Sequence, residues 1–273
     1  MLGFLVVCCY LIGAVGYFVC AYTRRPVLCT VAWWSVVIGA VVHVIDIGVN
    51  LFSSSSSGSF SLHRESLSIL GLLVISIFII VSRLRPFSFA GTFVVPLVLF
   101  IVIAASVLPF ESITAKPFLQ HGIIMFHVAT LFVAYAFFAL SFSISLVYLF
   151  QERKIKRKEF KSAMTLPFPS LETLDRLNHR CTLIGFPFMT AGLIAGFGSA
   201  QFFWKSFWTG DPKEILSLIT WLVYAVLFHQ RLALGWRGKK ASVMSICGFV
   251  AVLATFIGVN LYGRTHHVTF FLH

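Results

Sequence analysis

The alternation of long apolar runs with short polar stretches predicts a chain built almost entirely of membrane-spanning helices. Each run is close to the roughly 20 residues that a helix needs to cross a bilayer. The runs cover residues 2–22, 28–50, 67–82, 88–108, 121–150, 178–200, 215–231 and 241–262. We therefore expect an all-α integral membrane protein, with eight transmembrane helices bundled in a single polytopic domain over residues 1–273.

The amino-acid composition excludes the common soluble classes of protein. Hydrophobic residues make up 59% of the chain and charged residues only 11%, whereas soluble domains carry about 25% charged residues. The six cysteines lie within or beside the apolar runs and form neither a CxxC nor a CxxCH motif. This argues against a thiol–disulfide relay and against covalently attached haem.

The positive charges predict the orientation of the chain in the membrane. Lysine and arginine outnumber aspartate and glutamate by 21 to 9. The excess is confined to alternate loops, of which one set holds sixteen cations and the other set five. Because cytoplasmic loops are enriched in lysine and arginine, both termini are expected on the non-cytoplasmic side. This clustering is typical of membrane proteins, and nucleic acid is not expected as a partner.

Several stretches are interpreted from their local sequence. The fifth run is too long for a bilayer, so its end, QERKIKRKEFK, is expected to project into the cytoplasm as a charged helix. The following MTLPFPSLETLD has two prolines and is interpreted as a surface linker. Ser53–Ser57 with Gly58 is expected to form a flexible outer loop. The first run lacks the early positive charge of a secretory signal and is expected to be a retained helix.

The predicted outer loop between the sixth and seventh runs is rich in aromatic residues. Five rings fall within seven residues: Phe202, Phe203, Trp204, Phe207 and Trp208. Tryptophan favours membrane interfaces for reasons unrelated to ligand binding. The loop ends in Asp211, Pro212 and Glu214, which predict a helix start with an aspartate cap and a capping box. Asp211 therefore has a structural role whatever else the loop does.

Histidines supply the candidate metal ligands, because an ionisable side chain in a membrane span by default marks a functional site. Those predicted at the outer ends of spans are His43, His127, His266 and His267. His229 is predicted about 21 Å below the outer end of its span, at about 1.5 Å per residue. The outer group suits haem, since haem iron accepts imidazole and indole rings can stack on the porphyrin. Zinc is disfavoured, because no cysteine or carboxylate lies at ligand spacing.

Other interpretations of these polar residues stay open. A lone histidine at an interface is more often a solvated side chain than a ligand, and His179 is an alternative second inner ligand beside His229. Haem propionates would need cations on the outer face, and those available are Lys205, Lys213 and Arg264. No nucleophile stands with a base and a carboxylate at usable spacing. Catalysis by side chains therefore has no support.

The aromatic loop and the next span read WKSFWTGDPKEILSLITWLVYAVLFHQR. This stretch resembles the signature of the cytochrome c assembly family of haem-handling membrane proteins, which includes CcsA/ResC, CcmC, CcmF and HemX. That signature is WGxxWxWDPKE, followed by ITW and a span ending in His and Arg. The chain departs from it at Lys205, where glycine is usual, and at Gly210, where a third tryptophan is usual. The resemblance is strongest over residues 119–267.

The resemblance implies a site for non-covalent, b-type haem at the external face of a bacterial cytoplasmic (inner) membrane. His127 and His267 would ligate the iron, with His266 as the alternative to His267, and His229 corresponds to an intramembrane histidine of the family. Together with His43, which its predicted depth in the membrane singles out, the candidate metal ligands are His127, His267, His229, His43 and His266. The other candidate haem-binding residues are Trp204, Trp208, Asp211, Lys205, Lys213 and Arg264, of which the three cations are chosen for the propionates.

Two functions follow from this resemblance. In the first, the protein transports or presents haem for cytochrome c maturation, and a CcsB/ResB-like membrane partner brings an apocytochrome c with its CxxCH segment. In the second, it is a HemX-like regulator of haem biosynthesis. The basic segment Gln151–Lys161 would then contact a soluble enzyme of tetrapyrrole synthesis, although anionic lipid explains this segment equally well. An ordinary solute transporter is a third interpretation, with little polar sequence at mid-membrane to favour it.

Overall fold

The computed structural model describes residues 2–23, 25–57, 62–84, 88–107, 122–158, 169–208, 210 and 212–262. Within these ranges the secondary structure is helical, with a short 3-10 helix at Ser88–Ala90. The α-helices are α1 (Leu2–Thr23), α2 (Pro26–Ser57), α3 (Leu62–Leu84), α4 (Gly91–Val107), α5 (Gly122–Lys156), α6 (Leu171–Trp204), α7 (Pro212–Ala233) and α8 (Lys239–Tyr262). All eight predicted runs are thus helical where they are described.

Six of the described helices are long and apolar enough to cross a membrane, by length and composition. These segments are Leu2–Thr23, Pro26–Ser53, Arg64–Arg83, Gly122–Lys156, Leu171–Phe203 and Glu214–Ala233. Helix α4 is also apolar but has only 17 residues. The all-helical membrane architecture is therefore confirmed, while the number of eight spans and the side on which the termini lie stay predictions.

Three boundaries test the local predictions. Helix α5 continues to Lys156, as expected for a charged extension, and a 2.7 Å ion pair between Lys156 and Glu152 lies on its last turn. The prediction of a loop at Ser53–Ser57 was wrong, because α2 continues through Ser57; extending a formed helix by one residue costs far less than starting one. Gly58 lies outside the described residues.

The predicted linker also ends earlier than expected, because helix α6 begins at Leu171. The backbone N–H of Thr173 donates to the side-chain oxygen of Ser170 at 3.3 Å, so Ser170 acts as the N-cap. The correction concerns residues 171–175, which the two prolines suggested were part of the linker. Residues 159–168, which include Pro167, lie outside the described residues, whereas Pro169 is described and directly precedes the cap.

The chain forms two compact units, of which the first contains Met1–Glu111 and Ser143–Leu174. In this unit α1 packs closely against α2 at glycines. A Cβ atom added at Gly16 would lie 2.8 Å from Cβ of Ala32, and one added at Gly13 would lie 2.6 Å from a methyl group of Val36. Small residues allow such close approach between membrane helices, where packing replaces the hydrophobic driving force.

A disulfide joins Cys20 and Cys29 in this first unit, with 5.4 Å between their Cα atoms. It connects the end of α1 to the start of α2. The two cysteines are nine positions apart in the sequence and belong to no recognised motif, so this pairing was not predicted.

The second unit contains Ser112–Phe142 and Asp175–His273. Here side chains of α5 fit against three glycines of the antiparallel helix α6. A Cβ atom at Gly185 would meet the Phe138 ring at 2.6 Å, one at Gly192 would meet Leu131 at 2.7 Å, and one at Gly196 would meet His127 at 2.6 Å. The three glycines follow one another along α6 at intervals of seven and four residues. Their partners on α5 are spaced by the same intervals in the opposite direction, as expected for antiparallel helices. His127 therefore belongs to a regular packing register between two helices.

Helices α7 and α8 pack on the same unit through aromatic side chains. The rings of Phe138 and Tyr224 stack with their centroids 3.5 Å apart. Tyr224 also lies against Gly248 of α8, where an added Cβ would approach the ring to 2.8 Å. The indole N–H of Trp221 donates to the hydroxyl of Thr190 at 3.0 Å, which fixes α7 on α6. Specific side-chain contacts thus connect α5, α6, α7 and α8 within this unit.

Candidate functional site

The imidazole of His127 has a defined hydrogen-bond partner on the neighbouring helix α6. Its Nδ1 atom lies 2.6 Å from the backbone carbonyl oxygen of Gly192. A carbonyl oxygen can only accept a hydrogen bond, so Nδ1 must carry the hydrogen. In a neutral imidazole the lone pair then resides on Nε2.

This arrangement fits the chemistry of a metal ligand. Histidines that bind metals usually donate their second ring N–H to a carbonyl or carboxylate, which fixes the tautomer and the orientation of the ring. His127 has such a bond to Gly192. The residues at this place therefore suit an iron ligand that binds through Nε2, as haem would require.

The imidazole of His127 rests on Gly192 and Gly196 of α6, and these two glycines are called its seat below. The aromatic loop lies near the same part of α6. The indole of Trp208 is 44% exposed, and its centroid lies 6.2 Å from that of Phe197. Phe197 is the chain neighbour of Gly196, against which the imidazole packs. Trp208 and His127 therefore both contact the same turn of α6. The exposed indole ring of Trp208 offers a flat apolar surface there.

The two departures from the family signature both occur at left-handed backbone positions. Lys205 has φ of +55° and Gly210 has φ of +75°. Glycine adopts such angles without strain, whereas residues with a Cβ atom do so at a cost. Lysine at position 205 therefore bears strain that the usual glycine would avoid, and it carries a cation beside the loop, with its Nζ atom 5.8 Å from the centroid of the Phe202 ring.

We predict that Lys205→Gly stabilises the fold but weakens haem binding. Relief of the left-handed strain is expected to raise the free energy of unfolding by about 1 kcal/mol, measured in detergent. Loss of the cation is expected to weaken binding of haem but not of its dimethyl ester, which lacks propionate charges. Lys205→Arg, which keeps both a side chain and a cation at this position, is the matched control and should retain haem binding. Equal weakening for haem and ester would contradict a role for Lys205 toward the propionates.

The start of α7 agrees with the predicted cap in part. The helix begins at Pro212, as expected for proline in the first helical turn. The carboxylate of Glu214 accepts a hydrogen bond from the backbone N–H of Gly210 at 3.1 Å. Glu214 therefore reaches back over the helix start. Asp211 itself lies outside the described residues, so its capping role stays a prediction.

The other predicted histidines have different environments. His229 is exposed near the C-terminal end of α7. His43 belongs to the first unit and is only 1% exposed. Its Nδ1 lies 3.2 Å from the hydroxyl of Tyr10 and its Nε2 lies 2.8 Å from that of Ser68. An iron at His43 would have to displace one of these hydroxyls, whereas His229 has an accessible ring.

Six predicted site residues lie outside the described residues or have only their backbone described. Those outside the described residues are Asp211, Arg264, His266 and His267. For Trp204 and Lys213 the backbone alone is described: Trp204 ends α6 and Lys213 lies in the first turn of α7. In the described part of the chain, three or more His, Cys, Asp or Glu side chains do not gather in a metal-binding group. The roles of these residues stay predictions.

A buried polar cluster at the start of α6 and the end of α7 was missed in the sequence. The Nη2 atom of Arg231 donates to a carboxylate oxygen of Asp175 at 2.8 Å and to the side-chain oxygen of Asn178 at 3.1 Å. The same Asp175 oxygen accepts the backbone N–H of Gly238 at 2.8 Å. The Asn178 amide donates to the backbone oxygen of Ser141 at 3.1 Å. This inner clamp therefore ties α5, α6, α7 and the α7–α8 turn together.

The buried position of Arg231 was not predicted. The predicted run 215–231 ends at this residue, and its charge was counted among the sixteen cations of one set of loops, but it lies within α7 and its side chain is 3% exposed, against 13% for its partner Asp175. A signal was present: Asp175 and Asn178 are three residues apart, on one helical face, and Arg231 ends the next apolar run. The ion pair between Arg231 and Asp175 was missed because the charges were counted only as totals for each set of loops.

Comparisons with known proteins agree with the resemblance. The family model "Cytochrome C assembly protein" matches residues 60–267. The cytochrome c biogenesis protein CcsA of Guillardia theta is 34% identical over 195 residues, which cover 65% of this chain and 65% of that protein. CcsA of Heterosigma akashiwo (strain NIES-293 / 8280G21-1) is 33% identical over 242 residues, covering 76% of this chain and 75% of its own.

A solved structure shares the fold. The cytochrome c haem lyase CcmF aligns over 96% of this chain and 49% of its own, with a TM-score of 0.65 at 15% identity. This chain thus spans about half the length of CcmF and 65% of the Guillardia protein. None of these relatives supports assignment to the HemX-like subfamily. With its apolar helices and the family match over residues 60–267, the chain is a multi-pass membrane protein that belongs to the cytochrome c assembly protein family.

Proposed function

We propose that this protein binds haem non-covalently at the external face of a bacterial cytoplasmic membrane and presents it for cytochrome c maturation. The observation that carries this proposal is the seat of His127, whose Nδ1–H bond to Gly192 directs the lone pair of a neutral imidazole to Nε2. Membership of the cytochrome c assembly family supports the choice of haem as the ligand.

Each part of the proposed site has a separate role. His127 supplies one axial ligand, and His267, with His266 as the alternative, supplies the other. The exposed indole of Trp208 covers a face of the porphyrin. Lys205 offers a cation to the propionates, since its ammonium lies beside the same loop. The protein thus contributes binding and orientation, while the haem supplies the reactivity toward cysteine thiols.

The proposed entry of haem is at His229, from the cytoplasmic side or from the membrane. His229 is exposed, although Arg231, two residues later, is buried in the inner clamp. The exposed ring is therefore accessible from the surface of α7 while the end of this helix stays fixed. A CcsB/ResB-like membrane protein is the proposed partner, and it would bring the CxxCH segment of an apocytochrome c to the outer loop.

One observation favours a second role, in regulation. Helix α5 carries Arg153, Lys154 and Lys156 on its last turn, and this basic end provides a surface for a soluble enzyme of haem biosynthesis. Replacing these three cations by glutamine is expected to disturb haem synthesis if the regulatory role is correct. A defect in cytochrome c maturation alone would contradict it.

The proposed haem function is tested by purifying the protein and adding haem under reducing and oxidising conditions. We expect a Soret band with the spectrum of a histidine-ligated haem, because neutral imidazole is a strong ligand for haem iron. The band should weaken in acid, where protonation removes the lone pair of imidazole. Trp208→Ala should lower haem affinity, whereas Trp208→Phe should retain most of it. Absence of the band in both redox states would overturn the proposal.

A further inference from the structure

We propose that Gly196 is a positioning residue for His127, and that position 196 must lack a side chain because the imidazole occupies that space. A Cβ atom added at Gly196 would lie 2.6 Å from Cε1 and 2.8 Å from Nδ1 of the His127 ring. Both distances are far below van der Waals contact between such atoms. The inference rests on the proposed function, since it assigns His127 to the iron.

The hydrogen bond and the missing side chain depend on each other. Gly192 and Gly196 are four residues apart and so lie one above the other on the same face of α6. Within the helix the carbonyl of Gly192 already accepts the N–H of residue 196, by the ordinary i to i+4 pattern. A second donor must therefore approach this carbonyl across residue 196, and a methyl group there would block the path. Glycine at 196 makes the 2.6 Å bond to His127 possible.

The seat is built into the packing of two helices. Phe138 and Leu131 occupy equivalent places against Gly185 and Gly192, so α5 and α6 are held in register by apolar contacts on one side of His127. At the third glycine, Gly196, the imidazole of His127 also donates its hydrogen bond to the carbonyl of Gly192. Sites carried by packed helices hold their ligands more accurately than sites on loops.

The consequence for binding is control of both the tautomer and the direction of Nε2. The ring turns its Cε1–Nδ1 edge toward Gly196, and Nε2 lies farther from that position, at 3.6 Å from the added Cβ. An alanine at 196 would push the ring off α6 and break its bond to the Gly192 carbonyl. When a metal-binding histidine loses the hydrogen-bond acceptor of its other ring nitrogen, its affinity for the metal falls by roughly 10–100-fold. We expect a loss of haem affinity in this range.

The test compares three alanine variants of α6. Gly196→Ala overlaps the imidazole. Gly198→Ala is the matched control, because its Cβ would meet Ile123 at 3.4 Å, close to ordinary contact. Gly185→Ala overlaps Phe138 at 2.6 Å and perturbs the same interface about 16 Å away along the helix. The first readout is ¹⁵N NMR of the haem-free, histidine-labelled protein, with the His127 signals assigned by their loss in His127→Gln. The second readout is haem affinity.

We expect the Nδ1–H tautomer in the wild type, Gly198→Ala and Gly185→Ala, and its loss in Gly196→Ala together with weaker haem binding. A tautomer and affinity in Gly196→Ala equal to those of Gly198→Ala would overturn the inference. If the tautomer changes as expected but the wild type binds no haem, the seat is supported and the haem function alone fails.

A double variant keeps the test decisive if Gly196→Ala does not fold. In His127→Gly/Gly196→Ala the new methyl group meets no ring, so the protein should fold as His127→Gly does. Recovery of folding in the double variant would identify the imidazole as the cause of the overlap. Failure of the double variant, with His127→Gly folded, would contradict the inference.

Discussion

His127→Gly is expected to lower haem affinity by at least about 100-fold, because loss of the ligand itself should exceed the 10–100-fold cost of losing only its outer partner. Free imidazole should restore the original spectrum, since it can occupy the vacated space and offer the same nitrogen to the iron. The measurement is a haem titration followed by the Soret band, with and without imidazole. His267→Gly should behave in the same way if His267 is the second axial ligand.

The matched control for this variant is Met125→Gly. Met125 lies two residues earlier on α5 and its side chain is 50% exposed, so the change introduces the same helix-weakening glycine, at about 1 kcal/mol, without removing a ligand. Met125→Gly should bind haem as the wild type does. Equal affinities for the two variants, with no response to imidazole, would show that His127 does not bind the iron.

Arg231→Met is expected to lower the free energy of unfolding by about 3–5 kcal/mol, the usual cost of removing one partner from a buried ion pair. The loss would leave Asp175 charged in a poorly hydrated place and would free Asn178 from its guanidinium partner. The measurement is reversible unfolding in detergent micelles. Arg237→Met, an exposed arginine of the neighbouring turn, should change stability by less than about 0.5 kcal/mol.

A second substitution separates charge from packing in the inner clamp. Arg231→Met/Asp175→Asn removes both charges but leaves an amide oxygen for the N–H of Gly238, so it should regain much of the stability lost in Arg231→Met. A double variant no more stable than Arg231→Met would contradict the ion pair as the source of the effect. Haem affinity should change little in either variant that folds, because the clamp lies at the opposite end of α6 from the seat of His127.

Much of the fold was predictable from hydropathy alone. The apolar runs located each helix, because the chain must satisfy its backbone hydrogen bonds within the helix wherever it meets lipid. Polar boundaries were harder to predict. Ser53–Ser57 resembled a loop by composition, yet the helix continues through them, and Ser170 started α6 earlier than the prolines suggested. Short polar segments have weak preferences, which a neighbouring helix easily overrides.

The candidate site was predictable as a set of chemical groups but not as an arrangement. The sequence pattern singled out His127 and Trp208, which both lie within the family match over residues 60–267, and their roles toward haem stay predictions. The seat at Gly192 and Gly196 depends on the register between α5 and α6, which no local pattern specifies. His43 had the same appearance as His127 in the sequence, but its ring is buried between two hydroxyls. Tertiary packing, rather than residue type, distinguishes these two histidines.

The most direct test is a cryo-EM structure of the haem-loaded protein at a resolution that separates the two ring nitrogens of His127 by their contacts. We expect the iron to be bonded to Nε2 of His127, while Nδ1 still donates to the carbonyl of Gly192. Haem density remote from this ring, or an imidazole turned so that Nδ1 faces the metal, would contradict the account.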